Sequence, residues 1–166
     1  MTIERLDNDV WGFTTNCFVC ETKNAAGLQV PYFVDTETET VFAEFTLSAA
    51  FSGAPNWAHG GVSLAICDEA MAWATIALKH KWAVTKSSTA SFERPVVIDR
   101  TYRVEARIIG TAEGDDATIL TEASITSASS GKRCVFTTGV MSVVTAVQAP
   151  ALGIALEPDH ATYLRN

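Results

Sequence analysis

Apolar and polar residues alternate along much of the chain, and this pattern predicts strands. Between Thr40 and Leu47 every second residue from Val41 onward is apolar, which is typical of a strand with one buried face. A strand is also predicted over Gln29 to Val34, with a polar turn at residues 35–39 between the two. Four more strands are predicted further along, each bounded by turn residues: Ala83 to Phe92, Thr101 to Ile109, Ala117 to Thr126, and Arg133 to Val144.

One long segment breaks the alternation. Residues His59 to Leu78 are rich in Ala, Leu, Ile and Met, and their number suits a helix better than a strand. The segment is apolar on nearly all sides, which indicates a buried helix. Its only formal charges are Asp68 and Glu69.

The order of elements, two strands, one helix and four strands, predicts an α+β fold. We expect a curved antiparallel sheet of about six strands wrapped round one long central helix, within a single domain over residues 1–166 whose core spans about 17–144. The exposed side of such a sheet leaves surface that a second copy of the chain can cover. A short helix is expected near Pro158 to Leu164.

Composition and charge narrow the possible partners. Apolar residues make up 48% of the 166, enough for a packed core. The net charge of −7 argues against a nucleic-acid binder, which needs a basic face. No apolar run reaches the roughly 18 residues needed to span a membrane, and the acidic start of the chain is unlike a signal peptide. We therefore expect a cytoplasmic protein that binds neither nucleic acid nor membrane.

Four cysteines raise the question of a metal or redox site. Cys17 and Cys20 form one Cys-x-x-Cys pair, whereas Cys67 and Cys134 stand alone. A structural zinc site normally needs a second pair. We therefore favour reduced, mostly buried thiols without a bound metal, and keep zinc and redox chemistry as the less favoured alternatives.

The segment NWAHGGVSLAICDEAMAWA resembles the core motif of hotdog-fold acyl-CoA thioesterases, in the phenylacetyl-CoA-type group. That motif has His-Gly-Gly at the helix start and an acid nine residues after the histidine, here His59 and Asp68. The resemblance extends from the Cys-Phe-x-Cys at residues 17–20 to about residue 144, and includes Phe92-Glu93-Arg94-Pro95. It implies thioester hydrolysis with no cofactor beyond the CoA of the substrate.

The resemblance also implies roles for individual residues. Asp68 acts as a nucleophile or as a general base, which both require an ionised carboxylate. The amide of Gly60 polarises the thioester carbonyl at the helix N-terminus. Thr85 holds the attacking water. His59 and Asn56 are further catalytic candidates, although a cap for the helix is the alternative interpretation of His59.

The two principal groups cannot act within one chain. Gly60 and Asp68 lie eight residues apart on one helix, or about 12 Å along its axis, so they cannot touch the same carbonyl. If both roles are right, the active site lies across the interface of a homodimer or homotetramer. Small residues on the Asp68 face of the helix would allow a close approach.

Other residues are candidates for holding the substrate: Gly61, Glu69, Lys86, Ser87, Ser88 and Arg94. In relatives a basic residue often occupies the turn between the middle strands, where this chain has Ala112-Glu113-Gly114-Asp115-Asp116. Two alternatives therefore stay open: a non-catalytic protein that binds acyl thioesters, and a hotdog hydratase or dehydratase. The second usually carries an Asp-x-Asn-x-x-His motif, which the sequence lacks.

Overall fold

The computed structural model of the protein describes residues 2–11, 15–154 and 163. One 20-residue helix, α1, spans Gly60–Lys79. The nine strands are Ile3–Leu6 (β1), Tyr32–Asp35 (β2), Thr40–Thr46 (β3), Ser52–Ala54 (β4), Trp57–Ala58 (β5), Ala83–Phe92 (β6), Thr101–Ala112 (β7), Asp115–Ser127 (β8) and Arg133–Val143 (β9). Two short 3-10 helices span Ala49–Phe51 and Pro150–Leu152.

Seven strands form one sheet in the order β1-β2-β3-β7-β8-β9-β6, and every pair in it is antiparallel. Helix α1 packs against six of them, from β2 to β6. Those six span about 24 Å at the usual strand spacing, roughly twice the diameter of a helix with its side chains. The sheet must therefore curve round α1. The expected architecture is confirmed, with seven strands in the sheet rather than about six.

The helix packs tightly on the sheet at a glycine of β9. A Cβ on Gly139 of β9 would lie 2.7 Å from Thr121 Oγ1 and 2.9 Å from Met71 Sδ, so only glycine leaves room for the Met71 side chain. On the β2 side, the buried Tyr32 hydroxyl donates a hydrogen bond to the Ile66 carbonyl at 2.8 Å. These contacts fix how α1 sits on the sheet and therefore which residues it turns outward.

The apolar composition of α1 follows from this position. By length and composition alone α1 could cross a membrane, so the expectation that no apolar run reaches spanning length was wrong. Half of its most apolar 18-residue stretch is buried inside the protein. Asp68 and Glu69 lie among the helix residues that are only partly buried. Packing on the sheet accounts for its apolar residues.

The sequence predicted the later strands more accurately than the first ones. Strand β2 begins at Tyr32 and not at Gln29, because Gln29 has a left-handed backbone (φ 53°) and Pro31 has no amide hydrogen to donate. Strand β1 was missed, since three of its four residues are exposed and show no alternation. The helix expected near Pro158 to Leu164 lies outside the described residues, apart from Tyr163.

Candidate active site

The carboxylate of Asp68 is held by a threonine on the neighbouring strand. Thr85 Oγ1 donates a hydrogen bond to Asp68 Oδ1 at 2.6 Å. Asp68 is half-buried on α1, and Thr85 is exposed near the start of β6. The pairing of β6 with β9 shifts between Thr85 and Ser87, which makes Lys86 the extra residue of a bulge. Bulges of this kind redirect neighbouring side chains.

The start of α1 offers a free backbone amide. The imidazole Nδ1 of His59 accepts a hydrogen bond from the Gly61 amide at 3.0 Å, so His59 is the N-cap of the helix. Within the part of the chain that the structure describes, the Gly60 amide makes no hydrogen bond. A donor at the positive end of a 20-residue helix suits an oxygen that becomes negatively charged.

A pocket of about 250 Å³ opens beside this amide. Gly60 lines it together with Trp57 and Phe92, which are two exposed large apolar side chains. Arg94 also lines the pocket, and its Nη1 donates to the Arg133 carbonyl at 2.7 Å. The pocket thus combines aromatic walls, the ion pair between Arg94 and Glu93 (3.6 Å) and an unsatisfied amide.

The carboxylate and the free amide lie at separate places in one chain. Gly60 lies against Phe92, whose ring a Cβ on Gly60 would meet at 3.4 Å. Asp68 accepts a hydrogen bond from Thr85, which lies seven residues before Phe92 on β6. One thioester carbonyl cannot reach both, as the spacing along the helix had already indicated.

The remaining predicted residues divide between this face and other positions. Ser87 and Ser88 are exposed on β6 beside Lys86. Asn56 is exposed, with a left-handed backbone (φ 66°) in the turn between β4 and β5, and its carbonyl accepts from the Ile98 amide at 3.0 Å. This backbone role accounts for an asparagine there. The structure does not bring the Asn56 side chain into contact with Asp68.

Glu69 is directed away from Asp68. Its carboxylate lies with the thiols of Cys17 and Cys20, and burial together with the neighbouring Cys17 raises the pKa of Glu69 to about 8. It lines a different pocket, of about 150 Å³. The sequence does not indicate that the cysteine pair and the glutamate meet, because 48 residues lie between Cys20 and Glu69 and no spacing rule links them.

The acidic turn between β7 and β8 lies at the end of the sheet where Thr85 lies. Thr85 pairs with Met141 on β9, and Met141 pairs with Ile119 on β8. The carboxylate of Asp115 accepts hydrogen bonds from the Ala117 amide at 3.0 Å and from Thr118 Oγ1 at 2.7 Å. The Asp115 carboxylate therefore stabilises the start of β8 through these local hydrogen bonds.

Comparisons with known proteins agree with this architecture. Residues 56–112 match the family model of the thioesterase superfamily, a segment that includes Gly60, Asp68 and Thr85. A comparison with curated proteins found no match. The resemblance to the hotdog-fold thioesterase superfamily, predicted from the sequence, is confirmed.

Three solved structures illustrate the fold. A thioesterase superfamily protein is 24% identical, with a TM-score of 0.69 over 76% of this chain and 60% of its own. The PaaI protein from the phenylacetic acid degradation operon of E. coli is 20% identical (TM-score 0.56, covering 62% of this chain and 75% of that one). A hypothetical thioesterase of Streptococcus pneumoniae with coenzyme A is 19% identical (0.58, 63% and 78%). Two further structures of a hypothetical thioesterase from that organism carry alanine in place of an aspartate and of a threonine.

Proposed function

We propose that the protein hydrolyses an acyl-CoA thioester, with Asp68 as the catalytic carboxylate. The observation that carries this proposal is the hydrogen bond of 2.6 Å from Thr85 Oγ1 to Asp68, on the outward face of a mostly apolar helix. A carboxylate in such a place costs free energy unless it is solvated or paired, and a positioning threonine is what a catalytic acid requires. The coenzyme A bound to the S. pneumoniae relative supports CoA as the carrier.

Two routes are open to Asp68. As a general base it accepts a proton from water, the resulting hydroxide adds to the carbonyl carbon, and the C–S bond breaks to release the protonated thiol and the acid. As a nucleophile its oxygen attacks the carbonyl, the thiolate leaves, and water then cleaves the mixed anhydride. Rapid quenching followed by intact-mass measurement distinguishes them, because only the second route gives an acylated protein.

The carbonyl-polarising amide in this proposal is the Gly60 amide of a second subunit. Strand β6 is an edge of the sheet, ten residues long, and nine of those residues are at least partly exposed. An exposed edge of this length invites pairing with another chain. A twofold axis between Ser88 and Thr89, with the two β6 strands antiparallel, would set Thr85 opposite the partner's Phe92.

That register brings the two separated groups together. Phe92 lies against Gly60 and Thr85 holds Asp68, so the paired strands would bring the carboxylate of each chain toward the free amide of the other. The dimer would hold two such sites. We therefore propose a homodimer, or a dimer of dimers, with the active site across the interface.

The aromatic pocket beside Gly60 is proposed to receive part of the substrate. Trp57 and Phe92 offer apolar surface for an acyl or aryl group. Lys86 and Arg94 are the proposed contacts for CoA phosphates, with Ser87, Ser88 and Gly61 as polar contacts along the cleft. The reaction needs no added cofactor. A cytoplasmic location fits the four cysteines, all free in the structure.

A panel of acyl-CoA esters, with release of the thiol as the readout, tests the proposal. We expect wild-type turnover with at least one ester and a loss of about 100-fold or more in Asp68→Asn and Asp68→Ala. Glu44→Gln, which neutralises an exposed acid on β3, is the matched control. If wild type binds acyl-CoA but releases no thiol, the protein is a non-catalytic binder. Wild-type rates in Asp68→Ala would refute the assignment of Asp68.

A further inference from the structure

Two thiols and one carboxylate meet on the side of α1 that faces away from Thr85. The Sγ atoms of Cys17 and Cys20 and a carboxylate oxygen of Glu69 all lie within 4.8 Å of one another. The cysteines belong to a turn near the start of the chain, and Glu69 belongs to the helix. Neither cysteine is in a disulfide. The three groups are therefore available as ligand atoms at one point.

The backbone around Cys17 is arranged for a thiolate. Its Sγ accepts hydrogen bonds from the Val19 amide at 3.3 Å and from the Cys20 amide at 3.5 Å. Hydrogen bonds to the charged form of a group favour that form, so these two amides favour a thiolate at Cys17. Gly27 is required behind the turn, because a Cβ there would lie 2.5 Å from the Phe18 carbonyl oxygen.

A second layer of contacts orients the other thiol. The Asn8 side chain, which is buried, donates to Cys20 Sγ at 3.5 Å and to Glu21 Oε2 at 3.2 Å. Metal sites usually have such outer partners, which fix the ligands and tune their basicity. Asn8 and Glu21 are two of the few buried polar side chains of the described chain, so this arrangement is unusual within the molecule.

The electrostatics of the three ligand groups call for a cation. Three acidic groups share one partly buried space, and among the ion pairs of the described residues none includes any of them. A divalent cation would let all three groups ionise together, since its charge offsets theirs.

We propose that Cys17, Cys20 and Glu69 bind one thiophilic divalent cation of the Zn²⁺ type. Two thiolates with a carboxylate suit zinc, and tetrahedral Zn–S bonds of about 2.3 Å set the sulfurs about 3.8 Å apart. Ligand atoms now within 4.8 Å reach that geometry with small movements. The fourth position faces the pocket of about 150 Å³ that Cys17 and Glu69 line, where water completes the shell.

The metal would link the turn at residues 17–20 to α1, one residue from Asp68. We assign it a structural role, because Glu69 points about 100° round the helix from Asp68 and lines a pocket that includes neither Asp68 nor Thr85. The site is independent of the proposed hydrolysis, and its test does not use activity as a readout.

Metal content and cobalt spectroscopy of the full chain test this inference. Purified protein should contain about one Zn²⁺ per chain, and Co²⁺ loaded in its place should give the thiolate-to-cobalt charge-transfer band of a site with two sulfurs. Cys17→Ser and Cys20→Ser should weaken Zn²⁺ binding by ~100-fold or more, and Glu69→Gln by about 10-fold. Cys134→Ser, which changes a buried thiol on β9, should bind like wild type.

Three results would overturn the proposal. The first is wild-type protein that binds no Zn²⁺ or Co²⁺ while its thiols are reduced. The second is a Cys17–Cys20 disulfide found by mass spectrometry in freshly isolated protein, which would indicate redox chemistry. The third is a cobalt spectrum that is unchanged in Glu69→Gln and in both serine variants. Because wild-type titration decides the first case, misfolding of a variant does not leave the question open.

Discussion

Replacing Gly60 with proline removes the proposed carbonyl-polarising hydrogen and little else. Gly60 is the first residue of α1, the helix position where proline is most readily accepted. His59 before it has φ −62° and ψ 132°, a conformation that a following proline favours. A Cβ at residue 60 would meet the Phe92 ring at 3.4 Å, an ordinary contact. We therefore expect Gly60→Pro to fold like wild type.

The expected loss follows from the chemistry of a single donor. Removing one oxyanion-hole hydrogen bond costs about 2.7 to 4 kcal/mol, or roughly 100- to 1,000-fold in kcat. Gly60→Ala is the matched control, because it adds the same Cβ and keeps the N–H. The assay is steady-state thiol release from the best acyl-CoA, with circular dichroism to check the helix. A folded Gly60→Pro with the kcat of Gly60→Ala would show that this amide takes no part in catalysis.

Three further predictions concern other contacts. Thr85→Val should lower kcat by roughly 10- to 150-fold with little change in KM, because it removes a hydrogen bond worth about 1.5 to 3 kcal/mol to a charged group. Thr85→Ser keeps a hydroxyl and should retain most of the wild-type kcat. Equal rates in the two variants would show that Thr85 does not position Asp68. Gly139→Ala should destabilise the fold by about 1 to 3 kcal/mol in urea unfolding, since its Cβ meets Met71 Sδ at 2.9 Å; an unchanged midpoint would contradict the close contact. Cys67 is fully buried, and burial raises its pKa to about 12. Its thiol should therefore resist thiol reagents at pH 8 until the protein unfolds. Rapid labelling of Cys67 in the folded protein would show that α1 separates from the sheet.

The elements that sequence patterns located best are those with a single dominant signal. The predicted helix, His59 to Leu78, agrees with the observed Gly60–Lys79 within one residue at each end. A run of twenty residues rich in helix-forming side chains is too long for a typical strand. Strand β6 was located at both ends, from Ala83 to Phe92. Strand β1 could not be predicted, since it is defined by backbone hydrogen bonds to β2, which lies far from it in the sequence. Local patterns do not encode such a pairing.

The candidate site was predictable as a set of residues and only partly as an arrangement. The spacing from His59 to Asp68 selected Asp68 as the candidate acid, whereas residue types alone could not establish that Thr85 would donate a hydrogen bond to it. His59 could be interpreted as a cap or as a catalyst, and the observed bond to the Gly61 amide explains its position by capping. Cys17 and Cys20 meet Glu69 only through the packing of the first turn on the helix, which no spacing in the sequence describes.

Mixing two inactive variants provides the sharpest test of a shared site. Asp68→Asn keeps the Gly60 amide, and Gly60→Pro keeps the carboxylate. In a twofold dimer of one subunit of each kind, one site would combine the intact carboxylate with the intact amide, and the other would lack both. Random pairing of equal amounts makes half of the dimers mixed, so about a quarter of wild-type activity should return on co-expression. A site within one chain would gain nothing from mixing. Recovery would therefore require both groups to act on one carbonyl from different subunits. The control is a mass measurement showing that the preparation contains mixed dimers. If activity in that preparation is no higher than the mean of the two variants, the whole site lies in one subunit.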